Sequence, residues 1–145
     1  MYFTRRTKFT ALCLLISAHL FSNSVVYQNY VENFQVIAVS EMNRTGIPAS
    51  IKLAQGILES NAGRSYLAVN ANNHFGIKCG SNYSGPSAYR KDDEYDRNGK
   101  LKSSCFRKYR SASESYKAHS AFLMDAKKAY RYGFLFKLDK TDYKG

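Results

Sequence analysis

The sequence predicts a mainly helical α+β domain in which a small β-hairpin lobe stands beside a group of helices. Two apolar runs at helical spacing lie before residue 61, and a third helical run opens on a capping signal at Ser111. Between them, Asn98-Gly99 separates two extended runs, a strong hairpin signal. With 145 residues the chain holds one domain and not comfortably two.

The N-terminus reads as a secretory signal peptide over residues 1–24, leaving 25–145 as the domain. Arg5, Arg6 and Lys8 precede the run FTALCLLISAHLF, which is too short for a spanning helix, and Ser22 and Ser24 are spaced as a cleavage site requires. An uncleaved membrane anchor is the alternative; Leu12 before Cys13 argues against a lipoprotein. Cleavage leaves 19 basic against 11 acidic groups, a net charge of +8. A basic exported protein suits an anionic partner: cell wall, acidic glycan, membrane surface or nucleic acid. The 12 Tyr and 9 Phe favour a partner with flat faces, such as sugars or bases.

Residues 27–43 place Tyr30, Phe34, Ile37, Ala38 and Met42 at helical spacing. Thr45 and Gly46 interrupt the pattern, and Pro48 is expected as the first residue of a second helix running to about Ser60. In that helix Ile51, Leu53, Ala54, Ile57 and Leu58 form the expected core face, with Lys52, Gln55, Gly56 and Glu59 opposite. From Asn70 the run NANNHFGIKCGSNYSGPS reads as loop around a short buried piece, Phe75–Cys79. The extended runs AYRKDDEY and LKSSCFRKY flank the hairpin turn. Ser111 to Glu114 has capping-box spacing, and the helix it opens is expected to run to Gly133, with Lys127, Lys128 and Arg131 in its last turn. The run FLFKLDKTDYKG closes the chain. There are no internal repeats and no low-complexity tracts.

Chemistry concentrates at two places. Glu59 ends a helix, where the backbone dipole disfavours negative charge, so it is either a solvated charge or a group kept protonated. Gly56, one turn earlier, costs about 1 kcal/mol against alanine, and the expected compensation is close approach, for instance by a ligand lying across the helix. The second place is Asp92-Asp93-Glu94. Strand alternation puts Asp92 and Glu94 on one face and Asp93 on the other, while Arg90, Lys91 and Arg97 nearby allow a plain solvated cluster. Two carboxylates from different elements facing one cleft is the arrangement of glycoside hydrolysis. His74 and His119 read as packed or surface histidines, and Ser60 lacks a nucleophile context. No metal-ligand spacing and no nucleic-acid motif is present. With Cys13 removed, Cys79 and Cys105 are an even pair in an oxidising compartment; a bridge would contribute about 3 kcal/mol in the chain-entropy model, and two free buried thiols are the alternative.

The runs TGIPASIKLAQGILESNAGRSYLA, NNHFGIKC, CFRKYRSASESYKAHSAFL and RYGFLFKLDKTDYKG, in this order, resemble the bacterial N-acetylglucosaminidases of glycoside hydrolase family 73. The resemblance covers nearly all of the mature chain. It implies a lysozyme-like α-lobe with a small β-hairpin lobe over the catalytic cleft. It further implies hydrolysis of the β-1,4 bond between N-acetylglucosamine and N-acetylmuramic acid in peptidoglycan. Together with the signal segment, the expectation is an exported monomer acting on peptidoglycan glycan strands, with no cofactor, metal or nucleic acid and no stable membrane anchor after cleavage. Glu59, in the LAQ-x-x-x-ES block, takes the place of the family's general acid, which needs a raised proton affinity. Glu94, beside Tyr95 and ahead of Asn98-Gly99, takes the place of the second carboxylate, with Asp92 and Asp93 as alternatives. It acts as base in an inverting reaction, with carboxyls roughly 6.5–9.5 Å apart, or orients the substrate's acetamido group. Gln55, Asn73, Phe75, Tyr109 and Tyr132 match substrate-binding positions. The family normally continues past DYKG with Trp-Ala and further helices, so the resemblance implies missing C-terminal helices. A wall-binding remnant without turnover is therefore the rival, and a lytic transglycosylase the enzymatic alternative.

Overall fold

The protein is described by a computed structural model over residues 6–139, with side chains from Ser24 onward except that of Asp93. The terminal run from Lys140 and the side chains of most of the expected signal segment lie outside that description. Helix α1 spans Arg6–Thr45, α2 Ala49–Ser60 and α3 Tyr66–Ala71; strands β1 (Ser87–Tyr95) and β2 (Leu101–Arg107) follow, then α4 (Ala112–Met124) and α5 (Ala129–Tyr132). The α+β class and the hairpin lobe agree with expectation. Among the described residues no helix is long and apolar enough to cross a membrane.

The inward stripe of α1 carries buried Tyr30 and Ala38 with Phe34 and Ile37 packed beside them, at the spacing the sequence indicates, and adds a buried Glu41 that the apolar pattern did not include. Helix α2 corrects the sequence reading. Its buried residues are Lys52, Gly56 and Ser60, three of the face assigned to solvent or beside it, while Leu58 is 79% exposed. Polar character misled because each polar group on the stripe has a partner inside. Lys52 Nζ donates to the Tyr116 carbonyl at 3.0 Å and to Ser120 Oγ at 2.7 Å, and Ser120 Oγ donates to Glu41 Oε2 at 2.6 Å. Arg44 closes the chain with a 2.6 Å ion pair to Glu41. A buried Lys–Ser–Glu relay, capped by the half-exposed Arg44, thus pins α1, α2 and α4 together. Burial pushes the Glu41 carboxyl up, but its bonds to Arg44 and Ser120 outweigh that and hold it below the usual range.

Gly56 is approached from within, not by a ligand. A Cβ there would collide with Tyr30 Oη and lie 3.2 Å from Tyr116 Oη. That hydroxyl sits 3.1 Å from both Tyr116 Oη and His74 Nδ1, so the missing side chain makes room for a buried aromatic network. Pro48 is the residue before α2, not its first member.

The hairpin is antiparallel, in register from Ser87↔Arg107 to Lys91↔Ser103, and resumes at Tyr95↔Leu101. The interval between Lys91 and Tyr95 is a bulge that carries the acidic run. Gly99 turns at φ +72°, and Asp96 Oδ1 accepts from Asn98 N at 2.8 Å and Lys100 N at 2.9 Å. An isolated bridge, Lys78↔Phe106, adds a short third edge to the two-stranded sheet. The Cys79–Cys105 disulfide forms, with Cα atoms 5.5 Å apart, and joins this edge to β2.

Ser111 caps α4 as expected, Oγ accepting from Glu114 N at 3.4 Å; the returning Glu114 carboxylate takes Arg110 N at 3.0 Å. The single helix expected to Gly133 is broken. Asp125 leaves helical geometry (ψ 119°), and its carboxylate accepts from Lys127 N at 3.0 Å and pairs with Lys128 at 2.6 Å. A competing cap inside the run thus ends α4 early. Short 3₁₀ turns at Ala126–Lys128 and Gly133–Lys137 flank α5, and Gly133 has ordinary right-handed geometry. Leu135 folds back onto Ile47 and Leu123 in a small cluster that Tyr132 and Ile51 border. Periodicity gave no sign of α3, whose six residues rest on Ser65, Oγ accepting from Ala68 N at 3.2 Å.

Candidate active site

Glu59 occupies the last turn of α2 and is exposed. The chain behind it is fixed by its neighbour. Ser60 is fully buried, donates to the Gly56 carbonyl at 2.5 Å and accepts from Gly63 N at 2.7 Å. Asn61 and Ala62 follow in left-handed geometry, φ 51° and 52°, closed by Ala62 N to the Ile57 carbonyl at 2.7 Å. Non-glycine residues in that region are strained and persist only where surroundings hold them. Ser60 is therefore a splint for the turn.

A cleft of about 570 Å³ opens in front of Glu59, walled by Gln55, Phe75, His119, Phe122 and Tyr132 among others. On the other side lies a hollow of about 310 Å³ lined by Ser65, Tyr66, Arg90 and Asp92. Glu59, Gly76 and Lys78 line both, so the carboxylate stands where the two meet. Among the described residues Glu59 has no ion-pair or hydrogen-bond partner.

Gln55 and Glu59 share one helix face, four residues apart. The Gln55 side chain lines the cleft, and its amide oxygen is buried with no hydrogen-bond partner among the described residues. Phe75 is held flat against His119, centroids 4.0 Å apart and planes 5° apart. His119 Nδ1 lies 3.5 Å from Lys52 Nζ. Lysine only donates, so Nδ1 accepts and the imidazole proton is on Nε2. Burial, then the Lys52 charge, push His119 down to about 3; burial pushes Lys52 down to about 8. His119 is thus a neutral wall of the cleft.

Other expected contacts fall elsewhere. Asn73 is 1% exposed and lines neither hollow. Its amide donates to the Ile77 and Arg107 carbonyls at 3.0 and 2.9 Å and accepts from Ile77 N at 3.0 Å, shaping the loop that presents Phe75. Tyr109 also lies outside both hollows, its hydroxyl buried and pushed up to about 12 by burial. Tyr132 does reach the cleft. His74 is packed among Tyr30, Phe34 and Tyr116, and burial pushes it down to about 4.

The hairpin carboxylates converge on Lys78, which sequence reasoning did not single out. Its ammonium pairs with Asp92 at 2.5 Å and Glu94 at 2.6 Å; Lys102 adds a 3.6 Å contact to Glu94. The Lys78 hydrogen bond holds the Glu94 carboxyl below its usual range, and the two carboxylates push the Lys78 ammonium up. Asp92 also accepts from Ser104 at 3.1 Å and lines the smaller hollow, whereas Glu94 lines neither. The Asp93 side chain lies outside the described residues. A lysine next to a buried loop, facing an acidic strand, gave only a weak sequence signal. Among the described residues no group of three or more His, Cys, Asp or Glu could hold a metal ion.

A family model described as mannosyl-glycoprotein endo-beta-N-acetylglucosaminidase, the glucosaminidase domain, matches residues 35–145. The exo-glucosaminidase LytG of Bacillus subtilis (strain 168) is 45% identical over 73 residues, which is 49% of this chain and 25% of that protein. The catalytic domain of the autolysin Auto from Listeria monocytogenes superposes with a TM-score of 0.67 at 29% identity, over 80% of this chain and 68% of that one. The glycoside hydrolase domain of Salmonella typhimurium FlgJ shares the fold, with a TM-score of 0.61 at 24% identity over 77% and 67% of the two chains. A helical lobe ending in Glu59, a hairpin lobe bearing the acidic run and a family match across three-quarters of the sequence lead to one conclusion: the chain belongs to the glucosaminidase family of glycoside hydrolases.

Proposed function

We propose that this protein hydrolyses the β-1,4 bond between N-acetylglucosamine and N-acetylmuramic acid within peptidoglycan strands, with Glu59 as general acid. The observation that carries this reading is the position of Glu59, uncompensated by any cation among the described residues, at the junction of two hollows. Glu59 gives its proton to the glycosidic oxygen as the bond to C1 breaks. A water, or first the substrate's own acetamido oxygen, adds at C1. The second carboxylate belongs to the Lys78-bound pair: Glu94 by its place ahead of the turn, Asp92 by its place in the hollow. Glu94, held below the usual carboxylate range by Lys78, suits a base or an orienting acceptor and not a donor. Phe75 and Tyr132 offer faces for sugar rings, and the Gln55 oxygen takes a hydroxyl or amide proton.

The groove continues on both sides of Glu59, which favours cleavage inside a strand; the Bacillus relative is named for exo action. Residues 1–24 act as the export signal in this proposal, and 25–145 work at the cell wall. Purified peptidoglycan, digested by the parent and by Glu59→Gln with products read by mass spectrometry, tests the whole reading. Reducing-end N-acetylglucosamine oligomers early in the reaction, and a loss of roughly 10²–10⁴ in turnover for the variant, are expected. Release of single sugars only would replace endo by exo action, and anhydro products, lighter by one water, would indicate a transglycosylase. Equal rates in the two proteins would remove Glu59 from the mechanism.

A further inference from the structure

The smaller hollow beside Glu59 carries charge that the reading of Glu59 does not use. Its wall is formed by α3 on one side and β1 on the other, and Arg90 joins the two: its guanidinium lies over the Tyr66 ring, 4.6 Å from the centroid. A guanidinium stacked in this way keeps its edge donors free. Among the described residues no carboxylate pairs with Arg90. Of the two carboxylates that line the hollow, Asp92 is engaged by Lys78 at 2.5 Å and Ser104 at 3.1 Å, and Glu59 is the reacting group of the proposed function. Lys91 lines the same space and also has no ion pair among the described residues. The hollow thus combines a held planar cation and a second cation with an aromatic face, one step from the reacting carboxyl.

We propose that Arg90, positioned by Tyr66, forms a carboxylate-binding subsite that reads the acidic substituent of the muramic acid residue next to the scissile bond. The inference rests on the proposed function, since it names which part of that substrate fills the hollow. Fork-to-fork pairing of guanidinium and carboxylate is the strong, directional case of a charge-assisted hydrogen bond. The ring beneath shields one face of the pair and fixes its plane. The carboxylate comes from the lactyl group itself or from the peptide attached to it, which share this chemistry.

The test is binding, measured by calorimetry in the Glu59→Gln background of the full chain so that fragments stay intact. Soluble glycan fragments are used in three forms: bearing stem peptides, stripped to the free lactyl carboxylate, and with all carboxyls amidated. Charged fragments are expected to bind about tenfold or more tightly than amidated ones, and Arg90→Gln is expected to reduce that ratio below about threefold. Tyr66→Ala lowers the ratio and Tyr66→Phe keeps it. Preference confined to the peptide-bearing form assigns the site to the peptide, and preference shared by stripped strands assigns it to the lactyl group. A parent that ignores amidation overturns the proposal, as does an Arg90→Gln form that keeps the ratio. Where the glutamine form does not melt like the parent, Arg90→Lys replaces it, keeping charge without the fork: a lowered ratio supports the site and an unchanged one overturns it. Failure of the Glu59 reading would show separately, as equal peptidoglycan turnover by Glu59→Gln.

Discussion

Mild acid should destabilise this protein, because two histidines are buried neutral. His74 sits 3.1 Å from Tyr30 Oη in an aromatic pocket, and His119 is stacked on Phe75 beside Lys52. Burial pushes the first down to about 4, and burial followed by the Lys52 charge pushes the second down to about 3. An unfolded histidine titrates near about 6.5, so in acid the unfolded chain binds more protons and stability falls with pH. The contribution is intact above that value and lost progressively toward the folded values. Moving from about pH 7.5 to about pH 5 therefore costs about 2 kcal/mol for each residue, about 4 kcal/mol together, taken as independent sites. Glu41, Glu94 and Asp125 are shifted downward and begin to lose their contributions only below the unfolded carboxylate range of about 4, so between about pH 7.5 and about pH 5 the histidines set the slope. Urea unfolding followed by circular dichroism across that range measures the slope. His74→Phe keeps the ring among Tyr30, Phe34 and Tyr116 and should halve the loss, to about 2 kcal/mol, beyond a pH-independent cost of about 1 kcal/mol for the lost hydrogen bond. A flat stability profile, or a His74→Phe form with the full slope, would refute the reasoning.

Gly56→Ala should destabilise the fold by about 1–3 kcal/mol despite the gain in helix propensity, because the added methyl meets Tyr30 Oη. In a Tyr30→Phe background the same change should cost less, and thermal melts of the four proteins close the cycle. Reducing the Cys79–Cys105 bridge should cost about 3 kcal/mol in urea unfolding; a loss below roughly half a kcal/mol would mean the hairpin is held without it. Asp92→Asn and Glu94→Gln, compared by turnover on peptidoglycan, should differ by at least about tenfold, and the larger loss identifies the second carboxylate. Equal small losses would show that neither carries the reaction.

Legibility in the sequence followed how local each signal was. The capping box at Ser111, the Asn98-Gly99 turn and the α1 stripe of Tyr30 and Ala38 are written in neighbouring residues, and the structure repeats them. The orientation of α2 was not legible, because Lys52 is buried only by virtue of Ser120 and the Tyr116 carbonyl, more than sixty residues away in sequence. Gly56 announced a close approach correctly and left its source open; Tyr30 supplies it from another helix. Within the candidate site, Gln55, Phe75 and Tyr132 gather at the cleft around Glu59, while Asn73 and Tyr109 turn inward. Asparagine is as apt to shape a loop as to touch a sugar, and only the three bonds it makes distinguish the roles. Lys78 escaped notice because its significance depends on a strand crossing over it.

The two carboxylate sites are built to different stiffness, and that division bears on mechanism. Glu59 ends a helix locked by the Lys52–Ser120–Glu41 relay, by Tyr30 against Gly56 and by Ser60 in the turn behind it. A proton donor needs such fixity, since misplacement by an ångström costs a large share of the rate. Asp92 and Glu94 instead ride on the bulge of a two-stranded hairpin, a unit that is marginal alone. One disulfide, the Lys78↔Phe106 bridge and the ammonium of Lys78 tie it to the helical lobe. The Lys78–Glu94 pair is half-exposed and individually weak, so a strand entering the groove can exchange it for its own contacts, while Asp92 is more enclosed. In the proposed reaction the acid is thus held rigidly, while the tether of the second carboxylate can yield to a bulky polymer.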